Sequence, residues 1–212
     1  MKTLSQILIE SAATLDLSAE EPTGTELTTR TSFANQAVSE AFNYALLREF
    51  KERVVTFATT ATISLGTNFT QMIDKPREML SDSSWNEYEP IEPEDAIHYT
   101  SSDRYYYVTG NPASGYVAYF NNLAANATLV FTKYRYPSGM STLTSICELS
   151  DPQYVVLKVN ASVYKSRNDN RFPIVEAEAQ SRLQNMVARS NRPPLGGTQA
   201  TKRIGSAAYK IN

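Results

Sequence analysis

Apolar residues at the start of the chain keep helical spacing. Leu4, Ile7, Leu8, Ala12 and Leu15 make one stripe, which predicts a helix over residues 3–15. Thr3 and Gln6 have capping-box spacing, so each can satisfy a free backbone N–H of the first turn. Residues 17–30 are polar, contain Pro22 and Gly24, and read as a connection. Thr31 or Ser32 can cap a second helix running to about Arg53, with Ala34, Val38, Ala41 and Ala45 along one face. Small residues there permit close approach of another helix. Phe33, Phe42 and Phe50 add apolar bulk.

The period then changes to two. Val55, Phe57, Thr59, Ala61, Ile63 and Leu65 alternate with mostly polar residues up to Gly66, as a strand does. Residues 77–80 read as a short strand or turn, and residues 81–103, with Pro90 and Pro93, as loop. Asp103 to Val108 and Gly115 to Phe120 flank turn chemistry at residues 109–115 and form a hairpin candidate. Thr128 to Tyr136 is a further strand, with Leu129, Phe131 and Lys133 on one face and Val130, Thr132 and Tyr134 on the other.

Helical spacing returns at Asp151-Pro152, an aspartate cap followed by proline at the first helical position. Val155, Val156, Val159, Val163 and Tyr164 form its inward face to about Ser166. Phe172-Pro173 opens a fourth helix to about Arg189, striped by Ala179, Leu183, Met186 and Val187. The expected class is α+β: an antiparallel helical bundle formed by both chain ends, an inserted antiparallel β module and an extended C-terminal arm. The expected divisions are 1–53 and 141–190 for the bundle, 54–140 for the β module and 191–212 for the arm.

Charge adds a polarity to this layout. The formal net charge of -2 makes the chain as a whole no magnet for nucleic acid. Asp74, Glu78, Asp82, Glu87, Glu89, Glu92, Glu94, Asp95 and Asp103 nevertheless form an acidic middle. Arg182, Arg189, Arg192, Lys202, Arg203 and Lys210 form a basic end. Such polarity suits electrostatic registration between copies or partners, or else it is solvated surface. The opening residues lack the long apolar run and cleavage pattern of a signal peptide, and no stretch approaches a membrane-spanning length. The expectation is a protein made in a cytoplasm and used or packaged there, with no membrane contact.

Candidate chemistry is sparse. Cys147 is the single cysteine, which leaves no intrachain disulfide or thiolate cluster. His98 is the single histidine, which excludes a multi-histidine metal site. Neither local sequence matches a nucleophile motif, so a buried structural cysteine and an ordinary strand or loop histidine are expected. The carboxylate groups Glu87/Glu89 and Glu92/Glu94/Asp95 lie in a proline-rich acidic stretch that a solvated loop explains. Gly196-Gly197 lacks the flanking strand and helix of a phosphate loop. The expected protein is no enzyme and carries no cofactor or metal. Tyrosines 105, 106, 107, 116, 119, 134 and 136 suit strand packing and protein interfaces, or a face on which sugars or bases stack.

The last residues differ from a bland linker. Pro193-Pro194 and Gly196-Gly197 stop any helix and no carboxylate side chain follows Glu178, yet Leu195, Ile204, Tyr209 and Ile211 remain as apolar anchors. A cationic tail of this kind reads as an arm that orders on a neighbouring subunit or partner, the alternative being a frayed terminus.

The layout resembles the head-to-tail adaptor (head-completion or connector) proteins of short-tailed bacteriophages. The match is strongest over residues 140–192. Leu143-Thr144 and Leu149-Ser150-Asp151-Pro152 lead there into Tyr154-Val155-Val156-Leu157, then Ala177-Glu178-Ala179 and Leu183-Gln184-Asn185-Met186. Met1 to Glu10 and the stretch around Trp85 are also similar. The resemblance implies a structural protein of the virion neck, assembled in the host cytoplasm as a ring of copies, a dodecamer. Its implied partners are the portal protein and a tail, nozzle or tail-tube protein, with DNA passing through the lumen without sequence-specific contact. Leu195, Lys202, Arg203, Ile204, Tyr209 and Lys210 are the residues expected to dock on the portal. About twenty extended residues can reach on the order of 60–70 Å. The competing reading is a carbohydrate- or receptor-binding module built on the tyrosine-rich strands. A hydrolase using the acidic loop, or Cys147 with His98, is the third.

Overall fold

A computed structural model describes residues 1–16, 18–80 and 84–191. The fold is α+β. Among the described residues there are four α-helices, α1 (Leu4–Leu15), α2 (Gly24–Tyr44), α3 (Pro152–Ser166) and α4 (Phe172–Ser190). Nine strands lie between α2 and α3: β1 (Lys51–Ala58), β2 (Thr62–Gly66), β3 (Phe69–Met72), β4 (Arg77–Met79), β5 (Trp85–Glu87), β6 (Glu89–Pro90), β7 (Tyr105–Asn111), β8 (Gly115–Phe120) and β9 (Ala127–Arg135). No helix among the described residues is long and apolar enough to cross a membrane.

Local signals set the helix ends. The Thr3 side chain accepts from the Gln6 N–H at 3.3 Å, and the Thr3 N–H donates to Gln6 Oε1 at 2.9 Å, closing the capping box of α1. Asp151 caps α3 by accepting from the Gln153 N–H at 3.1 Å, with Pro152 in the first turn. α2 departs from expectation at both ends. It begins at Gly24, and it stops at Tyr44, because the chain becomes extended at Ala45 before a short 3-10 turn at Arg48–Phe50. Its first turns are polar and carry no apolar stripe. They are held by Arg30, a buried guanidinium that pairs with Asp16 just past α1 and with Glu26 one turn back.

Helices from both chain ends share one core. Leu4, Ile7 and Leu8 of α1 and Ala34, Val38 and Ala41 of α2 pack with Val155, Val156 and Val159 of α3 and Ala179, Leu183 and Met186 of α4. Two polar ties cross this core. Ser11 Oγ meets Asn160 Oδ1 at 2.7 Å in a buried bond between α1 and α3. Lys158 Nζ lies 2.8 Å from Glu40 and 2.7 Å from Glu176, which links α2, α3 and α4. Burial opposes the charge on Lys158, but the hydrogen bonds it donates to both carboxylates, with their charges, outweigh that and raise its pKa.

The strands build two sheets with separate edges. One has the order β1-β9-β4-β5, with β3 also on β9; the other has β2-β8-β7-β6. All pairings are antiparallel except β6 with β7. Leu129 and Phe131 from the first sheet meet Leu65, Tyr106, Ala118 and Phe120 from the second, so the sheets pack face to face. The run over residues 55–65, expected as one strand, is two strands in different sheets. β5 and β6 fall where the chain reads as loop, and β3 falls between Gly66 and Arg77, where no element is expected. Gly110 in the β7–β8 hairpin has φ +117, and a Cβ there would lie 2.2 Å from the Gly115 carbonyl oxygen, so only glycine fits.

β9 joins the two cores. Its Tyr134 stacks on Phe42 at 5.0 Å between ring centroids and lies in the helical cluster. The Tyr134 hydroxyl donates to the Ala45 carbonyl at 3.0 Å and accepts from the Leu47 N–H at 3.0 Å. The six residues expected to dock on a portal, Leu195, Lys202, Arg203, Ile204, Tyr209 and Lys210, lie outside the described residues.

Candidate functional site: two outward faces of the sandwich

Side chains alternate across a strand, so register decides which residues share a face. In the first sheet the inward set is Val54 and Ala58 on β1, Leu129 and Phe131 on β9, and Glu78 on β4. The opposite set faces away from the sandwich core. Phe57 pairs with Thr128, Thr128 with Met79, and Met79 with Trp85, a row across four of the five strands. The next row is Val55, Val130, Arg77 and Glu87. Val55 and Phe57 are 61% and 62% exposed, and Met79 and Trp85 are 45% exposed each. A contiguous exposed patch of this kind is unusual on an isolated soluble chain.

Charge borders this first face. Lys51 and Arg53 continue the outward side of β1, both exposed, and neither forms an ion pair among the described residues. Arg77 is paired with Glu87 at 2.8 Å. Beside the apolar rows is an open hollow of about 620 Å³ lined by Arg53, Asp74, Lys75, Arg77, Glu87 and Val130, among others.

The second sheet presents a different face. Tyr107 and Tyr119 are cross-strand partners, stacked at 5.1 Å with planes 16° apart. Tyr105 lies on the same side of β7, and Tyr99 packs on it at 5.0 Å. Val117 and Thr62 complete this side. Along the β7 edge runs the 3-10 turn Pro93–His98, which exposes Ile97 and carries Glu94 and Asp95 after Glu92. These three carboxylates form no ion pair among the described residues. The sandwich thus has a basic apolar face and an acidic tyrosine face on opposite sides.

One carboxylate of the acidic middle is internal. Glu78 is 1% exposed and accepts from Arg104 at 2.8 Å, Asn86 at 3.1 Å, the Tyr88 hydroxyl at 3.2 Å and the Ala124 N–H at 2.9 Å. Burial pushes its pKa up, but the bonds from Asn86, Ala124 and Tyr88 and the charge of Arg104 outweigh that and hold it low. The same burial, with the Glu78 charge, pushes the Tyr88 hydroxyl far up. This cluster binds β4 of one sheet to the start of β7 in the other. Of the remaining acids, Glu87 and Glu89 pair with Arg77 and Lys75, and Asp103 accepts from the Thr100 N–H and hydroxyl.

The tyrosines divide by burial. Tyr106 and Tyr134 are buried in the two cores, whereas Tyr105, Tyr107 and Tyr119 point outward. Cys147 is buried in the helical core, where desolvation raises its thiol pKa, and His98 is exposed at the end of the acidic 3-10 turn. The sequence reading found the tyrosines but missed Val55, Phe57, Met79 and Trp85 as a surface. Its available signal was the pairing of exposed-type lysine and arginine with the same alternation, Lys51, Arg53, Val55, Phe57. No family model matches the chain, and no curated protein matches it either.

Proposed function

We propose that the protein is a structural adaptor that assembles as a ring, joins a phage portal to the tail machinery and continues the DNA channel. The observation that supports this most is the pair of unlike outward faces on one sandwich. A ring of identical chains needs heterologous contacts, in which one copy offers two different patches. Helices from both chain ends around an inserted β module agree with the layout of the adaptor resemblance, read as an antiparallel bundle with an insert. In this reading the copies number twelve, residues 191–212 form the arm, and Leu195, Ile204 and Tyr209 fill portal pockets while Lys202, Arg203 and Lys210 set register. Each arm binds weakly and the ring binds through their sum. DNA passes through the lumen without base-specific contact, and a tail, nozzle or tail-tube protein binds below.

Truncation after Arg192 tests the arm. The shortened chain is expected to keep its helical circular dichroism and to lose capture by portal protein in a pull-down. Undiminished capture overturns the reading.

The stacked Tyr107/Tyr119 pair favours one competing reading, a carbohydrate- or receptor-binding module. A glycan array with the wild type and Tyr107→Ala separates the two, because the adaptor reading expects no glycan signal from either.

A further inference from the structure

The two faces of the sandwich match each other. The first offers Val55, Phe57, Met79 and Trp85 with the cations Lys51 and Arg53, which have no ion pair among the described residues. The second offers Tyr99, Tyr105, Tyr107 and Tyr119 with the anions Glu92, Glu94 and Asp95, which have no ion pair among the described residues. Each is apolar in its middle and charged along one border, and the borders have opposite sign. We infer that the basic apolar face of one copy packs on the acidic tyrosine face of the next. This inference rests on the ring reading and names the surfaces that make the ring.

Three features favour a second copy as the occupant. The faces are complementary within one sequence, so no foreign surface is needed to explain either. They lie on opposite sides of the sandwich, so a contact between them leaves both outer faces free to continue the series, as head-to-tail assembly requires. Aromatic anchors in the centre with charges at the rim are the anatomy of a protein interface, where the charges set partner and register more than affinity. Stacked tyrosines bring large area with little entropy loss on binding. An isologous pairing would bring together two faces of like net charge, which like-charge repulsion opposes.

Charge exchange tests this. Lys51→Glu/Arg53→Glu makes both faces acidic, and Glu94→Lys/Asp95→Lys makes both basic. The expected result in sedimentation velocity is that each double variant alone self-associates about tenfold more weakly than wild type. A one-to-one mixture of the two is expected to recover assembly, because basic and acidic copies then alternate. All four positions are exposed, so folding is preserved, and circular dichroism verifies it. A second measurement uses Phe57→Cys and Tyr119→Cys chains. Disulfide dimers are expected only when both are mixed, and dimers of either alone overturn the head-to-tail arrangement.

The outcomes separate this inference from the reading it rests on. Wild-type rings that the reversed charges leave intact overturn the pairing and leave the adaptor reading standing. Charge-dependent chains that bind no portal protein support the pairing and overturn the adaptor role. Wild-type protein that stays monomeric at millimolar concentration overturns the pairing, as does a glycan that binds the tyrosine face of such a monomer.

Discussion

The helical region and the sandwich bury their apolar residues to different degrees. In the helices, the stripes of α1, α3 and α4 all converge on one core, and Ile174 is the large apolar residue left most exposed there. In the sandwich, each sheet buries one side and leaves Val55, Phe57, Met79, Trp85, Ile97, Tyr99 and Tyr119 outside. The difference separates the residues that hold the sandwich together from those it leaves at the surface. The inward faces and the Glu78 cluster hold the sandwich together, whereas the rows through Val55 and Phe57 leave much of their apolar area in solvent.

The largest expected effect comes from the sandwich core. Phe131→Ala should cost about 3–5 kcal/mol in urea unfolding. Trp85 is the only tryptophan and reports the sandwich, while circular dichroism at 222 nm reports the helices. Because Tyr134 belongs to both regions, the two signals are expected to shift together; a shift in fluorescence alone would separate the regions thermodynamically.

Removing one member of the internal charge cluster comes next. Glu78→Ala strands Arg104, Tyr88 and Asn86 and should cost about 3 kcal/mol. Its pH dependence has a definite sign. The folded pKa of Glu78 lies below the ordinary value of 4.5, so its contribution is complete above that value and is lost as pH falls through the folded pKa. Glu78→Gln should therefore flatten the acid limb of a stability-against-pH curve below about pH 4.5. An unchanged acid limb would assign that slope to other carboxylates.

A smaller effect is expected in the helices. Lys158→Met loses two ion pairs from a partly buried ammonium and should cost about 1 kcal/mol, read from the thermal midpoint. Least of all, Phe57→Ser and Trp85→Ser should change stability by no more than about 0.5 kcal/mol while weakening self-association. Ile174→Ser, an exposed residue outside either sheet face, should alter neither property. Destabilisation by Phe57→Ser on the scale of Phe131→Ala would erase the contrast between inner and outer faces.

The elements legible in the sequence were those fixed by neighbouring residues. The Thr3/Gln6 box and the Asp151-Pro152 start act within one turn, so α1 and α3 were readable, as was the β7–β8 hairpin with its turn residues. What escaped was decided by distant contacts. The start of α2 depends on Arg30 reaching Asp16 outside its own helix, and apolar spacing carries no trace of that. The alternation from Val55 to Leu65 would put all six residues on one side of a single strand. The chain instead changes sheets around residues 59–61, so Val55 and Phe57 face outward while Ile63 and Leu65 face inward. Periodicity reports that one side of a strand is apolar and not what covers it. For the same reason the tyrosine face was half visible, and the face opposite it was not.

The shared ring of Tyr134 has a mechanical consequence. It is gripped from above by Phe42, held at its hydroxyl by the backbone on both sides of Leu46, and rooted in the strand that runs through the middle of the first sheet. A swivel between sandwich and helices would have to pull that ring from its socket. Turning one part against the other therefore means giving up the Phe42 stacking and both hydroxyl hydrogen bonds at once.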